Sequence, residues 1–199
     1  SIKRHQYALI VGGTRGIGRA AVDQLRVLPG WTVKFTGRKD CDLSEPASWQ
    51  HFIRGLDIND PPFDLVVFAA GELKPGAWDG KGADAYARAY MIHAAGPICM
   101  TADLWLNKAI AWWTTVCFVS SVGAVNAGAV DLPYGMAKAS LDKAAKALGE
   151  HASFTVKLVR LDLVDTDTLR LLPEDTLHGR RVMSKNEAAA LILKECFLE

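Results

Sequence analysis

The chain has 199 residues, half of them hydrophobic, and a formal net charge of +1 at neutral pH. This length and composition suit one domain spanning residues 1–199 with a sizeable core. A charge near zero gives no electrostatic reason to expect nucleic acid or an anionic membrane as a partner. No stretch approaches 18 uncharged apolar residues, so no transmembrane helix is predicted.

The cysteines and the first residues both favour a cytoplasmic protein. Four cysteines are scattered along the chain without a Cys-x-x-Cys pair. They predict reduced thiols rather than a disulfide or zinc framework, and we expect no metal site. The first five residues lead directly into a predicted strand and lack the apolar segment and cleavage site of a secretory signal.

Strand-like and helix-like segments alternate along the chain. By residue number, strands are predicted over 7–11, 31–36, 41–43, 64–69, 114–119 and 154–161. Helices are predicted over 15–28, from an N-cap at 44, over 83–110 and 133–151, and after a capping box at 184–187. The strands are apolar throughout, which indicates a parallel sheet covered on both faces. We therefore expect an α/β, single-domain Rossmann-type, doubly wound fold with about six strands.

A glycine-rich segment joins the first strand to the first helix. Residues 12–18 read Gly-Gly-Thr-Arg-Gly-Ile-Gly. Glycines let the backbone approach a pyrophosphate closely, and the helix N-terminus supplies N–H groups and partial positive charge. The alternative is a tight turn with only a structural role. The candidate phosphate-binding residues are Gly12, Thr14, Arg15, Gly16, Ile17 and Gly18.

Tyr134 and Lys138 stand four residues apart in a predicted helix, and Ser121 lies thirteen positions before the tyrosine. The spacing places the phenol and the ammonium on one helix face. A free phenol has a pKa of about 10, and a nearby cation lowers it toward the range useful for acid–base catalysis. A surface helix pair without chemistry is the alternative for this spacing alone.

With the glycine loop, Ser121, Tyr134 and Lys138 in this order, the chain resembles the short-chain dehydrogenase/reductase family over about residues 6 to 190. The resemblance implies hydride transfer between NAD(P)(H) and a carbonyl or alcohol carbon. It implies that Tyr134 is the general acid or base, that Lys138 binds the nicotinamide ribose, and that Ser121 hydrogen-bonds the substrate oxygen. His93 stands in the place of the family's catalytic Asn. It either joins a proton relay or packs within its helix.

The residues after the second strand predict a preference for NADP(H) over NAD(H). Gly37 stands where NAD-preferring members of the family carry an acidic residue, and Arg38 follows it. Arg15 of the glycine loop is expected to point to the same place. Guanidinium groups bind phosphate with paired hydrogen bonds, so they suit a 2′-phosphate. The alternative is that Arg38 and Lys39 form a solvated turn.

Other positions match the family's cofactor contacts in part. Asp42 and Leu43 resemble the pair that contacts adenine, and Thr166 resembles the threonine that binds the nicotinamide amide. The segment Ala69, Ala70 and Gly71 resembles the family's Asn-Asn-Ala-Gly, but both asparagines are replaced. The family's Pro-Gly before the threonine is replaced as well, by residues 161–162.

The expected function is that of an NADPH-dependent carbonyl reductase or the reverse alcohol dehydrogenase acting on a small molecule. The replaced segments leave open a non-catalytic NADP(H)-binding regulator, and a redox-neutral dehydratase or isomerase is a third possibility. Residues 167–183 are expected to cover the substrate side as a lid, and Trp78 is a candidate for the substrate pocket. A homodimer is expected through the central helix and the helix bearing Tyr134. The small residues that permit close packing there are Ala139, Ala144, Ala145 and Ala147.

Overall fold

The computed structural model describes residues 4–74, 80, 82–126, 132–167, 169–172, 177 and 179–197. Strands and helices alternate through most of them, as the sequence predicts. Short 3₁₀ turns occur at Val122–Ala124 and Leu169–Leu171. The main elements, in chain order, are β1 (Gln6–Val11), α1 (Gly16–Arg26), β2 (Trp31–Thr36), α2 (Pro46–Arg54), β3 (Phe63–Phe68), α3 (Ala83–Tyr90), a π-helical turn (Met91–Ala95), α4 (Gly96–Leu106), β4 (Ile110–Ser121), α5 (Leu132–His151), β5 (Thr155–Leu161) and α6 (Lys185–Phe197).

The described strands form one parallel sheet in the order β2-β1-β3-β4-β5. The chain moves from β1 outward to β2 and then returns to the other side of β1 with β3. The direction of winding therefore reverses next to β1, and the crevice at this point is the usual ligand site of an open α/β sheet. The Rossmann-type fold is confirmed, with five strands in the described part of the chain instead of about six.

The predicted strand at 41–43 is a turn. The Cys41 N–H donates to the carbonyl of Gly37, and the Asp42 N–H donates to Ser48 Oγ at 2.9 Å. With these N–H groups used locally, the segment does not pair with the edge strand β2. The predicted N-cap at Ser44 is also wrong, because its hydroxyl donates to Asp42 Oδ1 and α2 begins only at Pro46.

Alternating strand residues divide the core into two layers. On β1, Leu9 and Val11 face a cluster shared with α2, α4 and α5, whereas Ala8 and Ile10 face a cluster shared with α1 and α6. Successive strand side chains point to opposite faces, so both faces of a central strand are apolar when helices cover both. Ala145, proposed above for a dimer face, is buried in the first cluster and faces the sheet.

The long central helix contains one π turn, and its cause is Pro97. Proline has no N–H to give the carbonyl four residues earlier, which belongs to His93. The helix widens just before it, and the Gly96 N–H bonds to the Met91 carbonyl, five residues back. His93 lies within this widened turn. Such turns are frequent at functional sites.

The boundary between α4 and β4 differs from the prediction. The helix ends at Leu106 because Lys108 adopts a left-handed backbone, with φ of 58°, and Ala109 N donates to the Leu104 carbonyl. The strand then begins at Ile110. Between β3 and β4 the register shifts, and this irregularity leaves Trp112 exposed in edge-to-face contact with Trp113.

Candidate active site

A cavity of about 590 Å³ lies at the carboxyl ends of the strands, where the winding reverses. Nearly all candidate site residues line it, although they come from distant parts of the chain. The exception is Gly18, which lies below the loop. The candidates lining the cavity are Gly12, Thr14, Arg15, Gly16, Ile17, Arg38, Asp42, Leu43, Ala69, Ala70, Gly71, His93, Ser121, Tyr134, Lys138 and Thr166.

The glycine loop leaves the first turn of α1 open to the cavity. Arg15 is the N-cap, and no side chain in the described residues hydrogen-bonds there, so the N–H groups of the first turn remain for a ligand. Gly12 has φ of +89°, and a Cβ there would lie 2.5 Å from the backbone of Ala70. A Cβ on Gly18 would lie 2.2 Å from the Gly12 carbonyl oxygen. Gly18 therefore has a packing role that lets α1 start close under the loop.

Lys138 is buried at the floor of the cavity. Its Nζ donates to the Val119 carbonyl oxygen at 2.7 Å and lies 5.8 Å from the ring centroid of Tyr134. Burial lowers the pKa of Lys138 to about 8, partly opposed by the Asp142 carboxylate one turn further along α5. The ammonium is thus charged at neutral pH, with two N–H groups beyond the one given to Val119.

Adjacent serines at the end of β4 make different contacts. The Ser121 hydroxyl accepts a hydrogen bond from the Gly123 N–H at 3.1 Å, so its own hydrogen is available to donate. The Ser120 hydroxyl donates to Asp142 Oδ1 at 2.5 Å. Asp142 also accepts from Arg160 Nε at 2.5 Å. The two neighbouring hydroxyls therefore point to different elements. Ser121 contacts the turn over the cavity, and Ser120 contacts α5.

His93 lies against the proposed catalytic tyrosine. Its ring meets that of Tyr134 edge to face, with 4.8 Å between centroids, and its Nε2 lies 2.7 Å from the Glu72 carbonyl oxygen. Burial first, and the Lys138 charge second, lower the pKa of His93 to about 3. The imidazole is therefore neutral near pH 7. The 2.7 Å distance to the carbonyl oxygen, shorter than the 3.4 Å from Nε2 to the Glu72 backbone nitrogen, favours the tautomer with its hydrogen on Nε2. Its Nδ1 is buried and finds no partner among the described residues.

The opposite end of the cavity is densely charged. Arg38 Nε donates to Asp42 Oδ2 at 3.0 Å, and the other oxygen of this carboxylate accepts from the N–H and the hydroxyl of Ser44. Partial burial would raise the pKa of Asp42, but the hydrogen bonds from Ser44 and Arg38 outweigh it and lower the pKa. Arg88 Nε donates to Glu72 Oε1 at 2.7 Å.

Thr166 adjoins the glycine loop, with its methyl group 3.9 Å from where a Cβ of Gly16 would lie. Its segment pairs with the return of the chain, because the Asp165 N–H donates to the Met183 carbonyl at 2.8 Å. The described part of the predicted lid, including Leu169, Leu172 and Arg180, lines the cavity. Pro173 and His178 of the lid, and Trp78, lie outside the described residues.

Sequence reasoning missed Glu72, Arg88 and Asp142. A weak signal existed for Asp142, since it continues the four-residue spacing of Tyr134 and Lys138 along one helix face. Glu72 lies three residues beyond the predicted strand end at residue 69, and the carboxyl ends of parallel strands meet at one edge. Nothing in the sequence marks Arg88, which reaches the cavity only because of how α3 packs.

The residues that the structure describes contain neither a metal-binding cluster nor a membrane-spanning helix. No group of three or more His, Cys, Asp or Glu side chains there is arranged to hold a metal ion. Within the same residues, no helix combines the length and the apolar character needed to cross a membrane.

No protein-family model and no curated protein matches the chain, but solved structures share its architecture. The angucycline C-6 ketoreductase LanV with bound NADP is 19% identical with a TM-score of 0.84, covering 96% of this chain and 88% of that one. A short chain dehydrogenase family protein from Francisella tularensis subsp. tularensis SCHU S4 is 19% identical with a TM-score of 0.82, covering 98% and 91%. BdcA in complex with NADPH is 22% identical with a TM-score of 0.78, covering 97% and 87%. The chain therefore has the fold of the short-chain dehydrogenases.

Proposed function

We propose that the protein is an NADP(H)-dependent oxidoreductase that transfers a hydride between nicotinamide and a carbonyl or alcohol carbon. The observation that carries the proposal is a single cavity lined by an uncapped helix N-terminus, a guanidinium group and the set Ser121, Tyr134 and Lys138. The angucycline ketoreductase and BdcA, which share the fold, are described with NADP and NADPH.

The residues at the loop fit a dinucleotide phosphate. A Cβ on Gly12 would collide with Ala70, and the first turn of α1 presents N–H groups with partial positive charge to the cavity. Lys138 retains N–H groups suited to ribose hydroxyls, and Thr166 lies beside the loop. These residues would hold the cofactor, which supplies the hydride or accepts it.

The chain's own groups would handle the proton. In reduction, the Tyr134 hydroxyl donates its hydrogen to the substrate oxygen, and in oxidation the phenolate accepts it. The Lys138 ammonium electrostatically favours the phenolate. The Ser121 hydroxyl donates a hydrogen bond to the substrate oxygen as negative charge develops there. His93 acts as a positioning residue, because its ring packs edge to face with the Tyr134 ring and its Nε2 contacts the carbonyl of Glu72 in the segment after β3.

Arg38 is the proposed contact for the 2′-phosphate. Its guanidinium is exposed and lines the cavity. Gly37 precedes it, and a side chain there would collide with Thr14, since a Cβ would lie 2.6 Å from the threonine methyl group. An acidic side chain at position 37 would therefore require Thr14 to move, and the glycine present there offers no carboxylate for a ribose 2′-hydroxyl, which favours NADP(H) over NAD(H).

Calorimetric titration with NADPH and, separately, with NADH tests the proposal. We expect micromolar binding of NADPH and clearly weaker binding of NADH. Arg38→Asp is expected to reverse or abolish the preference, because it replaces the cation with an anion. The surface variant Arg19→Asp, on α1, is the matched control for the charge change. If the protein binds neither NADPH nor NADH, the proposed function is refuted.

We further propose a cytoplasmic homodimer. Its interface is formed by the central helix (α3 and α4) and by α5 of each copy. The exposed side chains of Tyr90 and Met136 and the exposed Ala139 are available on these helices. Sedimentation at micromolar concentration tests the dimer, and a monomer would overturn this part of the proposal alone. A screen of ketones with NADPH and of alcohols with NADP identifies the substrate and the direction of the reaction.

A further inference from the structure

The cationic end of the cavity contains an anion of its own, the carboxylate of Glu72. Its oxygens lie 2.7 Å from Nε and 3.3 Å from Nη2 of Arg88, which makes a two-point ion pair. The oxygen nearer Nη2 also lies 3.7 Å from Nη1 of Arg38. One carboxylate thus contacts the guanidinium proposed for the 2′-phosphate and a second guanidinium that no cofactor contact requires.

These contacts close into a ring of side chains. Arg88 Nη1 donates to Ser44 Oγ at 2.9 Å, and the Ser44 hydroxyl donates to Asp42 at 2.6 Å. Asp42 accepts from Arg38 at 3.0 Å, and Arg38 returns to Glu72. The ring joins the turn after β2, the segment after β3 and helix α3. Arg38 is its most exposed member, with 67% of its side chain accessible, so its contacts are the ones a ligand can most readily replace.

We infer that Glu72 is a specificity-determining residue that competes with a 2′-phosphate for Arg38 and thereby limits the preference for NADP(H). The inference rests on the proposed function, because it concerns the same nucleotide site. Guanidinium binds carboxylate and phosphate with the same donors. A phosphate at Arg38 must displace Glu72 or lie beside it, and two anions at that distance repel each other. A nucleotide with a 2′-hydroxyl carries no such anion and is little affected.

Arg88 has the opposite effect, since it neutralises Glu72. Its two-point contact is shorter than the 3.7 Å contact between Glu72 and Arg38. Without the Arg88 charge, the carboxylate is left with Arg38 and with Lys74 at 3.9 Å. Glu72 then binds Arg38 more strongly, because Arg88 no longer holds its carboxylate. A 2′-phosphate therefore competes less well for Arg38. Removing Glu72 and removing Arg88 should therefore change phosphate binding in opposite directions.

The test measures the binding of 2′,5′-ADP and of 5′-AMP to the whole chain by calorimetry at low ionic strength. These probes carry the two forms of the ribose and no nicotinamide. Glu72→Gln keeps the shape of the side chain and removes its charge. It is expected to tighten 2′,5′-ADP binding by about three- to ten-fold and to leave 5′-AMP within about two-fold. The gain should shrink in about 0.5 M salt, because the site is partly open to water.

Arg88→Gln is expected to weaken 2′,5′-ADP binding by about three-fold or more. Asp23→Asn is the matched control, because it removes one exposed carboxylate that pairs with Arg19 on α1, outside the cavity lining. It should change neither probe's affinity. Thermal unfolding of each variant, followed by circular dichroism, confirms that the compared proteins are folded.

The outcomes separate the inference from the function beneath it. If wild type binds NADPH and 2′,5′-ADP but Glu72→Gln leaves the ratio of the two probe affinities unchanged or lower, the inference is overturned and the proposed function stands. Tighter 2′,5′-ADP binding by Arg88→Gln also overturns it. If wild type binds neither probe and neither NADPH nor NADH, both fall. A rise in the ratio for Glu72→Gln with a fall for Arg88→Gln supports the inference.

Discussion

The two ends of the cavity, the proposed catalytic end around Tyr134 and Lys138 and the proposed nucleotide end around Arg38, control charge in different ways. At the catalytic end, Lys138 and His93 are buried with few polar partners, and burial is the main cause of both pKa shifts. At the nucleotide end, Arg38, Asp42 and Glu72 are partly exposed and compensate one another through ion pairs and hydrogen bonds. One end thus holds strongly perturbed groups, and the other holds paired ones.

This difference has energetic and chemical consequences. Burying a charge without full compensation destabilises the fold, and such strain is tolerated where a shifted pKa serves a reaction. Paired surface charges contribute little to stability but are readily exchanged for a charged ligand. Variants at the catalytic end should therefore alter turnover and the pH dependence of stability, whereas variants at the nucleotide end should alter binding selectivity.

Tyr134→Phe should have the largest effect of these variants. It should lower kcat and leave cofactor binding unchanged. It removes the hydroxyl but keeps the ring that His93 contacts at 4.8 Å between centroids. We expect kcat to fall by about a thousand-fold, within the range for loss of a general acid, with NADPH affinity unchanged. Steady-state kinetics on the best substrate found, with calorimetry for binding, measure this. Tyr7→Phe, at the start of β1 and outside the cavity lining, is the control.

A Tyr134→Phe enzyme that keeps kcat within ten-fold of wild type would exclude the tyrosine as the acid. The same variant separates an enzyme from an NADP(H)-binding regulator, since a regulator's binding function does not need the hydroxyl.

His93→Gln should change the stability of the fold in acid. The pKa of His93 is about 3 in the folded chain and about 6.5 when unfolded, so the unfolded state binds an extra proton between these values. Wild-type stability therefore falls as pH falls through this window. From pH 6.5 to 4.5 the His93 contribution to this loss is about 2 kcal/mol, which the glutamine variant lacks. Denaturant unfolding at both pH values measures the difference.

His51 is exposed, so His51→Gln is the control for His93→Gln. Its free energy of unfolding should vary with pH in acid as that of the wild type does. Parallel slopes for wild type and His93→Gln would show that His93 titrates normally and is not buried as described. His93→Asn should also leave the pH–rate profile unshifted between about pH 5.5 and 8.5, because the imidazole stays neutral there. A shifted profile would restore the relay role.

Lys138→Met should stabilise the protein while inactivating it. Because burial lowers the pKa of Lys138 to about 8, the unfolded lysine binds more protons from pH 8 to 10.5, and wild-type stability rises with pH over that window. Below pH 8 the full cost of the buried charge, about 3 kcal/mol, is present. Methionine avoids this cost but loses the bond to the Val119 carbonyl, so we expect a net gain of about 2 kcal/mol at pH 7.

Urea unfolding at pH 7 and pH 10 measures the gain from Lys138→Met, which should shrink at the higher pH. Lys143→Met, on the exposed face of α5, is the control. A variant less stable than wild type at both pH values would mean that the ammonium is well compensated where it lies.

Local patterns in the sequence were enough to predict the fold and most of the candidate residues that line the cavity. Apolar runs bounded by glycines give the strand positions, and the four-residue spacing of Tyr134 and Lys138 places both on one helix face. The capping box was also confirmed, because Ser184 and Glu187 exchange hydrogen bonds at the start of α6. Each of these features depends on residues that are close in sequence.

Features that depend on tertiary packing were not predictable. Residues 41–43 have the composition of a short strand, but hydrogen bonds to Ser48 and Gly37 use their N–H groups in a turn. The ring through Arg88 exists only because α3 lies beside the turns after β2 and β3. The π turn has a local cause in Pro97, yet the contact between His93 in that turn and Tyr134 exists only because the helix packs against α5.

Asp142→Asn should have the smallest effect. It tests whether the carboxylate that pairs with Arg160 also sets the pKa of Lys138. The carboxylate accepts from Ser120 at 2.5 Å and from Arg160 at 2.5 Å, which ties the end of β4 to α5, and its charge raises the pKa of Lys138 against the effect of burial. Asparagine keeps the shape and removes the charge. The Lys138 pKa should fall, so the alkaline limb of kcat/KM should move to lower pH, with about a three- to ten-fold loss near pH 8 and less at pH 6.5.

Asp142→Glu preserves the charge and should restore the alkaline limb of the profile even where packing is imperfect. A pH-independent loss in Asp142→Asn would mean that the carboxylate only holds Ser120 and Arg160 in place. A shifted limb would instead mean that a paired carboxylate keeps the buried ammonium charged. The proposed catalytic end would then depend on a carboxylate held by its ion pair with Arg160, and ion pairs of this kind dominate the proposed nucleotide end.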